Sequence, residues 1–318
     1  MAAAVIDRYG GPEVLHLGRV PKPGLKPDQV LVRVRAASVN PIDCGFRKGQ
    51  MGMMAGRKFP KTVGLDFCGD VEEVGAQVTE FKPGDAVYSF LSPMGTPGSF
   101  AEYVAVPAKQ LAKKPANLSY TDTAAMPVAA STAFKGLVGK GQLRAGQKLL
   151  VVGASGGVGT FAVQIGKILG AHVTGVCSGR NADLVKGLGA DQVIDYTSTD
   201  FTKQDVRYDV IFDAATASFS ASRVALQRGG HYVTIVFKPS VLFDGLVSRL
   251  TGPGTCHTLM AFPKADELRQ LAAWAEAGQL RPVVEKVYPL AEAGEAHKAS
   301  ETGRSRGKLV VSIDGAKA

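Results

Sequence analysis

Leu149 to Gly159 reads Leu-Leu-Val-Val-Gly-Ala-Ser-Gly-Gly-Val-Gly, an apolar run that breaks into glycines and continues at helical spacing. Gly153, Gly156 and Gly159 recur every third residue, with Gly157 among them. A strand that turns into a helix without side chains lets backbone N–H groups and a helix N-terminus approach an anion. Ser155, Gly156, Gly157, Val158 and Gly159 provide that chemistry, and Gly159 lets the helix pack closely on the strand. The turn is read as a cradle for the diphosphate of a dinucleotide.

The following strand ends Val176-Cys177-Ser178-Gly179-Arg180-Asn181. NAD sites usually place Asp or Glu there, about 20 residues beyond the glycines, to bond the ribose hydroxyls. The nearest acid in this sequence is Asp183, already in the next helix. Ser178 and Arg180 can donate to a 2′-phosphate instead, Arg180 with charge and a planar fork. The missing acid and the adjacent arginine both predict NADPH.

Few other side chains make a local chemical pattern. Cys44, Cys68, Cys177 and Cys256 are far apart, which argues against a structural zinc and a disulfide framework and fits a reducing compartment. His16, His172, His231, His257 and His297 form no local constellation, so no metal site is expected.

The elements that must position the glycine turn read as two domains. Residues 1–124 are β-rich, with an alternating strand at Val30–Ala36, another at Asp70–Gly75 and a Lys82-Pro83-Gly84-Asp85 turn, which suggests a compact barrel. Residues 125–263 alternate helices with strands at Lys148–Val152, Ala171–Val176, Gln192–Ile194, Tyr208–Phe212 and Gly230–Val236. That alternation predicts βαβ crossovers and a parallel sheet, hence an α/β fold. Phe237 to Cys256 reads as a variable loop able to set specificity. In 264–318, helices are expected at Ala265–Ala277 and Ala291–Glu301 and strands at Val283–Tyr288 and Lys308–Ile313.

Composition excludes several classes. At 318 residues, with 45% hydrophobic and 20% charged side chains, the chain is neither disordered nor too small for a large core. Its net charge of +9 is spread in short pairs such as Arg47-Lys48 and Lys113-Lys114, a solvated surface more than a nucleic-acid patch. The uncharged stretch between Lys148 and Lys167 is a buried βα unit, because its glycines interrupt any membrane span. No basic region followed by a long apolar one opens the chain, so neither a secretory signal nor a span is expected, and the location predicted is cytoplasmic.

These motifs, with Asp7-Arg8-Tyr9-Gly10-Gly11-Pro12, Asn40-Pro41-Ile42-Asp43, Gly64-Leu65-Asp66-Phe67-Cys68-Gly69 and Leu188-Gly189-Ala190-Asp191, resemble the zinc-free quinone oxidoreductase branch of the medium-chain dehydrogenase/reductase superfamily. The resemblance implies a GroES-like barrel, 1–124 completed by 264–318, joined to a Rossmann domain, 125–263, with cofactor in the cleft between them. In zinc-dependent relatives a Cys stands where this chain has Asn40, and Gly-His-Glu corresponds to Gly64-Leu65-Asp66. Leu65 cannot ligate a metal and Asn40 is a poor zinc ligand.

What the resemblance leaves is hydride transfer from NADPH to a quinone or an activated C=C bond. It implies Asn40 and Thr132 at the nicotinamide end, Tyr196 at the adenosine end, Ile235, Val236 and Phe237 along the cofactor, and Lys308 near the cleft. The tyrosine that many relatives carry after Asn-Pro is absent from Cys44-Gly45-Phe46. Asp66 and Tyr88 are candidate proton donors beside Asn40, with water as an alternative. A reductase of enoyl thioesters is the nearest competing activity, and an NADPH-sensing or RNA-binding protein is the competing class. A homodimer is expected from the resemblance, with a small-molecule acceptor and without nucleic acid.

Overall fold

The computed structural model describes residues 1–50, 58–92, 98–215, 217–235, 248 and 254–314. The chain forms two compact units, Met1–Val128 with Phe262–Gly278 and Pro282–Ala318, and Ala129–Ala261 with Gln279–Arg281.

The first unit opens with β1 (Ala2–Ile6), β2 (His16–Arg19), β3 (Gln29–Val39), α1 (Pro41–Arg47), β4 (Lys61–Thr62), β5 (Asp66–Val74), β6 (Ala86–Phe90), β7 (Tyr103–Pro107), β8 (Ala112–Lys113) and α2 (Tyr120–Ala124). The chain then runs through α3 (Pro127–Phe134), β9 (Lys148–Val152), α4 (Gly157–Ile168), β10 (His172–Cys177), α5 (Ala182–Gly187), β11 (Gln192–Asp195), β12 (Tyr208–Asp213), α6 (Phe219–Ser222), β13 (Leu226–Thr234) and β14 (Gly254–Thr258). It returns to the first unit with α7 (Ala265–Glu276), β15 (Val284–Pro289), α8 (Ala293–Glu301) and β16 (Lys308–Ser312).

In the first unit the larger sheet runs β15-β16-β3-β5-β6-β8, with β7 also on β3, and a small antiparallel sheet runs β2-β1-β4. The period-2 pattern of β3 explains its central place. Val30, Val32 and Val34 are buried on one face while Arg33 is exposed on the other. The valines join Phe67, Phe100, Leu111 and Val311 in one core, each such side chain contributing about 1.5–3 kcal/mol on burial. These sheets form the β-rich first domain that the sequence predicts.

The sheet of the second unit is parallel throughout, in the order β11-β10-β9-β12-β13-β14. Numbered within the unit, that is the 3-2-1-4-5-6 order of a doubly wound dinucleotide fold, and the order reverses between β9 and β12. Leu150, Ile211, Tyr232 and Cys256 fill one of its faces. Gln279–Arg281 joins this unit because Gln164 of α4 bonds both backbone groups of Arg281, at 2.8 and 2.9 Å.

Two expectations shift. The strand expected at Gly230–Val236 starts earlier, because β13 pairs with β12 from Leu226, where the sequence lacks apolar alternation. β14 begins inside the segment expected to be a variable loop and runs two residues past its end; Gly254-Thr255-Cys256-His257-Thr258 is too polar to announce a strand and is fixed by pairing with β13. Val236 and Phe237, with most of the segment that follows, lie outside the described residues.

Candidate active site

The C-terminal ends of the parallel strands lie level with one another. Val152 pairs with Val176 on one side and Asp213 on the other, Cys177 pairs with Asp195, and Asp213 pairs with Thr234. That edge is where an open α/β sheet binds its ligand.

Gly153 leaves β9 at φ +77°, a left-handed conformation that glycine adopts without strain. Its N–H and that of Ala154 both donate to Val176 O, at 3.1 and 3.0 Å, tying the turn to β10. A Cβ on Gly159 would lie 2.0 Å from Gly153 O, so only glycine lets α4 start this close to the turn. The helix begins at Gly157 with Gly156 as N-cap, no side-chain cap and no acid in its first turn. The N–H groups of Gly157, Val158 and Gly159 have no carbonyl within the helix to bond, and the dipole favours negative charge there. The turn fits a diphosphate.

Neighbouring side chains shape this edge. Asn181 is buried and donates from Nδ2 to Ser155 Oγ at 3.0 Å and Ser178 Oγ at 3.3 Å, linking the glycine turn to the turn after β10. Asn181 therefore positions the two serines more than it offers donors of its own. Arg180 is exposed in that same turn, and Tyr196 is 63% exposed with its N–H on Cys177 O at 3.1 Å. Ile235 is half-buried just past β13, its N–H on Asp213 O at 3.3 Å, and Thr132 is buried within α3.

Two acids at this edge escaped the sequence reading. Asp195, at the end of β11, packs on Gly179, where a Cβ would fall 2.5 Å from its carboxylate. The Thr197 N–H and hydroxyl hold Asp195 below the usual carboxylate range. An acid from the adjacent strand thus packs against this turn, already engaged by Thr197. Asp213, at the end of β12, accepts from Ala215 N at 3.0 Å, Tyr232 Oη at 2.8 Å and Thr234 Oγ1 at 3.3 Å, which fixes the loop facing Gly153. Alternation along a strand marks burial but not which buried acid is bonded, so neither role was readable.

The first unit has a separate polar centre. β3 lies between β16 and β5, with Ser38 opposite both Val310 and Asp66. Asn40 follows the end of β3 and caps α1, with Pro41 at the first helical position and Asp43 at the third. Asn40 N–H donates to Asp43 Oδ2 at 2.8 Å. Lys308, at the start of β16, donates to Asn40 Oδ1 at 2.6 Å, Val39 O at 3.0 Å and Asp66 Oδ2 at 3.4 Å. Asn40 Nδ2 donates to the same Asp66 oxygen at 2.9 Å, as does Ser38 Oγ at 2.6 Å, while Val128 N–H donates to Asp66 Oδ1 at 2.7 Å.

The catalytic and cofactor expectations change accordingly. Lys308 is buried with its N–H bonds directed at three protein acceptors, which gives it the part of orienting Asn40. Four donors converge on Asp66, the arrangement of an anchor and not of a proton donor. Tyr88 is buried, its hydroxyl donating to Leu268 O at 2.6 Å, and burial pushes the phenol well above its ordinary range. The tyrosine is structural. Asp43 was missed, although Asn-Pro-Ile-Asp is a capping-box spacing; desolvation, with Asp66 nearby, raises its carboxyl to about 7.

Leu65, half-buried against the barrel core, offers no metal donor, and Asn40 Oδ1 already faces an ammonium. Among the described residues no group of three or more His, Cys, Asp or Glu side chains is arranged to hold a metal. Nor is any described helix long and apolar enough to cross a membrane.

Comparisons agree with this architecture. Residues 26–116 match the alcohol dehydrogenase GroES-like domain and residues 188–311 a family described as zinc-binding dehydrogenase. A mitochondrial NAD(P)H oxidoreductase of Mus musculus is 36% identical, over 98% of this chain and 89% of its own. A chloroplast envelope quinone oxidoreductase homolog of Arabidopsis thaliana is 34% identical, over 98% of each chain. The solved quinone oxidoreductase from Coxiella burnetii superposes with a TM-score of 0.91 at 30% identity, covering 98% of this chain and 99% of that one. With its glycine turn, its paired GroES-like and Rossmann units and relatives of this similarity, the chain is an NAD(P)H oxidoreductase and belongs to the quinone oxidoreductase branch of the medium-chain dehydrogenase/reductase superfamily.

Proposed function

We propose that the protein is an NADPH-dependent, zinc-independent reductase of quinones or α,β-unsaturated carbonyls. The observation that carries this reading is the donor set around Asn40. Where zinc-dependent relatives have ligands, this chain has an amide clamped by a buried ammonium and a leucine. Such a centre cannot add a Lewis acid to a carbonyl, which favours acceptors that take hydride without one. Among the relatives, an NADPH-dependent alkenal/one oxidoreductase of Arabidopsis thaliana is 35% identical, over 98% of this chain and 79% of its own.

NADPH, when bound, supplies the hydride. The chain's part is to hold and orient. Gly157, Val158 and Gly159 offer N–H groups to the diphosphate, and Ser178 and Arg180 offer donors to the 2′-phosphate, in a turn whose shape Asn181 and Asp195 maintain. Tyr196 presents an exposed ring to the adenosine. Asn40 is held in one amide orientation by Lys308 and Asp66, as a group facing the nicotinamide requires. The proton for the reduced acceptor comes from water. By the same family reading the enzyme is a homodimer in the cytoplasm, which sedimentation and cell fractionation check.

The test is NADPH oxidation with a panel of quinones and enones, with and without a zinc chelator. Turnover that survives chelation is expected. Tight NADPH binding without turnover would instead make the chain a sensor or RNA-binding protein, and loss of activity on chelation would refute zinc independence.

A further inference from the structure

His231 and His257 are distant in sequence, and the sheet brings them together. β13 and β14 pair in parallel with His231 opposite Thr255 and Val233 opposite His257. His231 Nδ1 lies 2.9 Å from Thr255 Oγ1 and 3.2 Å from His257 Nε2, and that Nε2 lies 2.9 Å from the same hydroxyl. Two imidazole nitrogens and an oxygen therefore form a nearly equilateral triangle, on half-buried side chains.

That triangle has the dimensions of a coordination face. Ligand atoms about 2.1 Å from a cation stand about 3.0 Å from one another at the angle of about 90° in octahedral or tetragonal sites, and about 3.4 Å apart at the tetrahedral angle. Neutral imidazole is the ligating form. With their ring protons on His231 Nε2 and His257 Nδ1, both imidazoles turn a lone pair toward the shared point. Binding then needs a change of tautomer and no loss of a proton. Two nitrogens and a hydroxyl suit zinc, copper or nickel and not calcium or magnesium.

The triad stands apart from the glycine turn. His231 pairs with Val210, which pairs with Leu149, so it is level with the start of β9 and not with Gly153 at its far end. We propose that His231, His257 and Thr255 form a binding site for one divalent transition-metal cation on the β13–β14 face of the parallel sheet.

Titration of the full chain with Zn²⁺ in a calorimeter tests this. One equivalent binding in the micromolar range is expected. Affinity should fall by roughly tenfold or more in His231→Ala and in His257→Ala. It should be unchanged in His16→Ala and His172→Ala, and unchanged by saturating NADPH. Cu²⁺ bound to the wild-type chain should show electron paramagnetic resonance coupling to two imidazoles, a readout that does not depend on any variant folding. Equal Zn²⁺ affinity in folded His257→Ala, or a Cu²⁺ spectrum with fewer than two imidazoles, overturns the proposal.

Discussion

Replacing Lys308 by methionine keeps the length of the side chain and removes its charge and three donors. The wild-type ammonium is 4% exposed and Asp66 is fully buried, so the variant leaves a carboxylate without its cation and Asn40 Oδ1 and Val39 O without a donor. Removing one partner of a buried ion pair costs roughly 3–5 kcal/mol. A mere loss of packing between side chains of similar volume would cost under about 1.5 kcal/mol. The sole tryptophan, Trp274, sits in α7 of the first unit, so its fluorescence follows the unfolding of the unit that holds the cluster. The urea midpoint in Lys308→Met should fall by about 1–2 M. Pairing it with Asp66→Asn, which removes the stranded charge, should restore at least half of the loss. A single variant within about 1 kcal/mol of wild type, or a double variant as unstable as the sum of the two singles, would refute the idea that charge compensation holds this centre together.

Four further outcomes follow from the same geometry. In Asp43→Asn, the melting temperature should change less between pH 5 and 8 than in wild type; a carboxyl raised to about 7 in the folded protein destabilises it as pH climbs from the unfolded value of 3.8 toward 7, a slope asparagine lacks. His297 has the opposite sign: buried, with neither ring nitrogen hydrogen-bonded and its pKa depressed to about 3, it costs stability as pH falls from 6.5 toward 3, so thermal melts of His297→Leu should decline less on acidification. Gly159→Ala forces a methyl to within 2.0 Å of Gly153 O and should weaken NADPH binding by about tenfold or more, read by cofactor fluorescence. Arg180→Ala should lower the ratio of kcat/KM with NADPH to that with NADH by roughly tenfold or more, and an unchanged ratio would show that the arginine does not contact the phosphate.

Much of the fold was legible because it rests on local chemistry. The glycine turn at Gly153–Gly159 and the valine alternation of β3 announce themselves through backbone freedom and period alone. The polar centre was only half legible. Asn40, Asp66 and Lys308 could each be singled out, but their roles follow from pairing across β16, β3 and β5, which no local spacing encodes. Asp195 stayed hidden for the same reason, being brought to Gly179 by the lateral pairing of β10 and β11. Tyr88 shows the reverse error: an aromatic hydroxyl suggests chemistry until the carbonyl of Leu268 is found at its end.

Lys308 and Asp66 are 242 residues apart along the chain. During synthesis β3 and β5 leave the ribosome long before β16, so Asp66 waits through the whole of the second unit for its countercharge. The barrel becomes electrically complete only when the last strand arrives. A premature stop before Lys308 would leave Asp66 without its cation and Asn40 without the ammonium that clamps its amide, although every residue of the glycine turn would already be made. The order of synthesis therefore decides when the polar centre is complete: three of its partners are made early, and the cation that balances them arrives almost last.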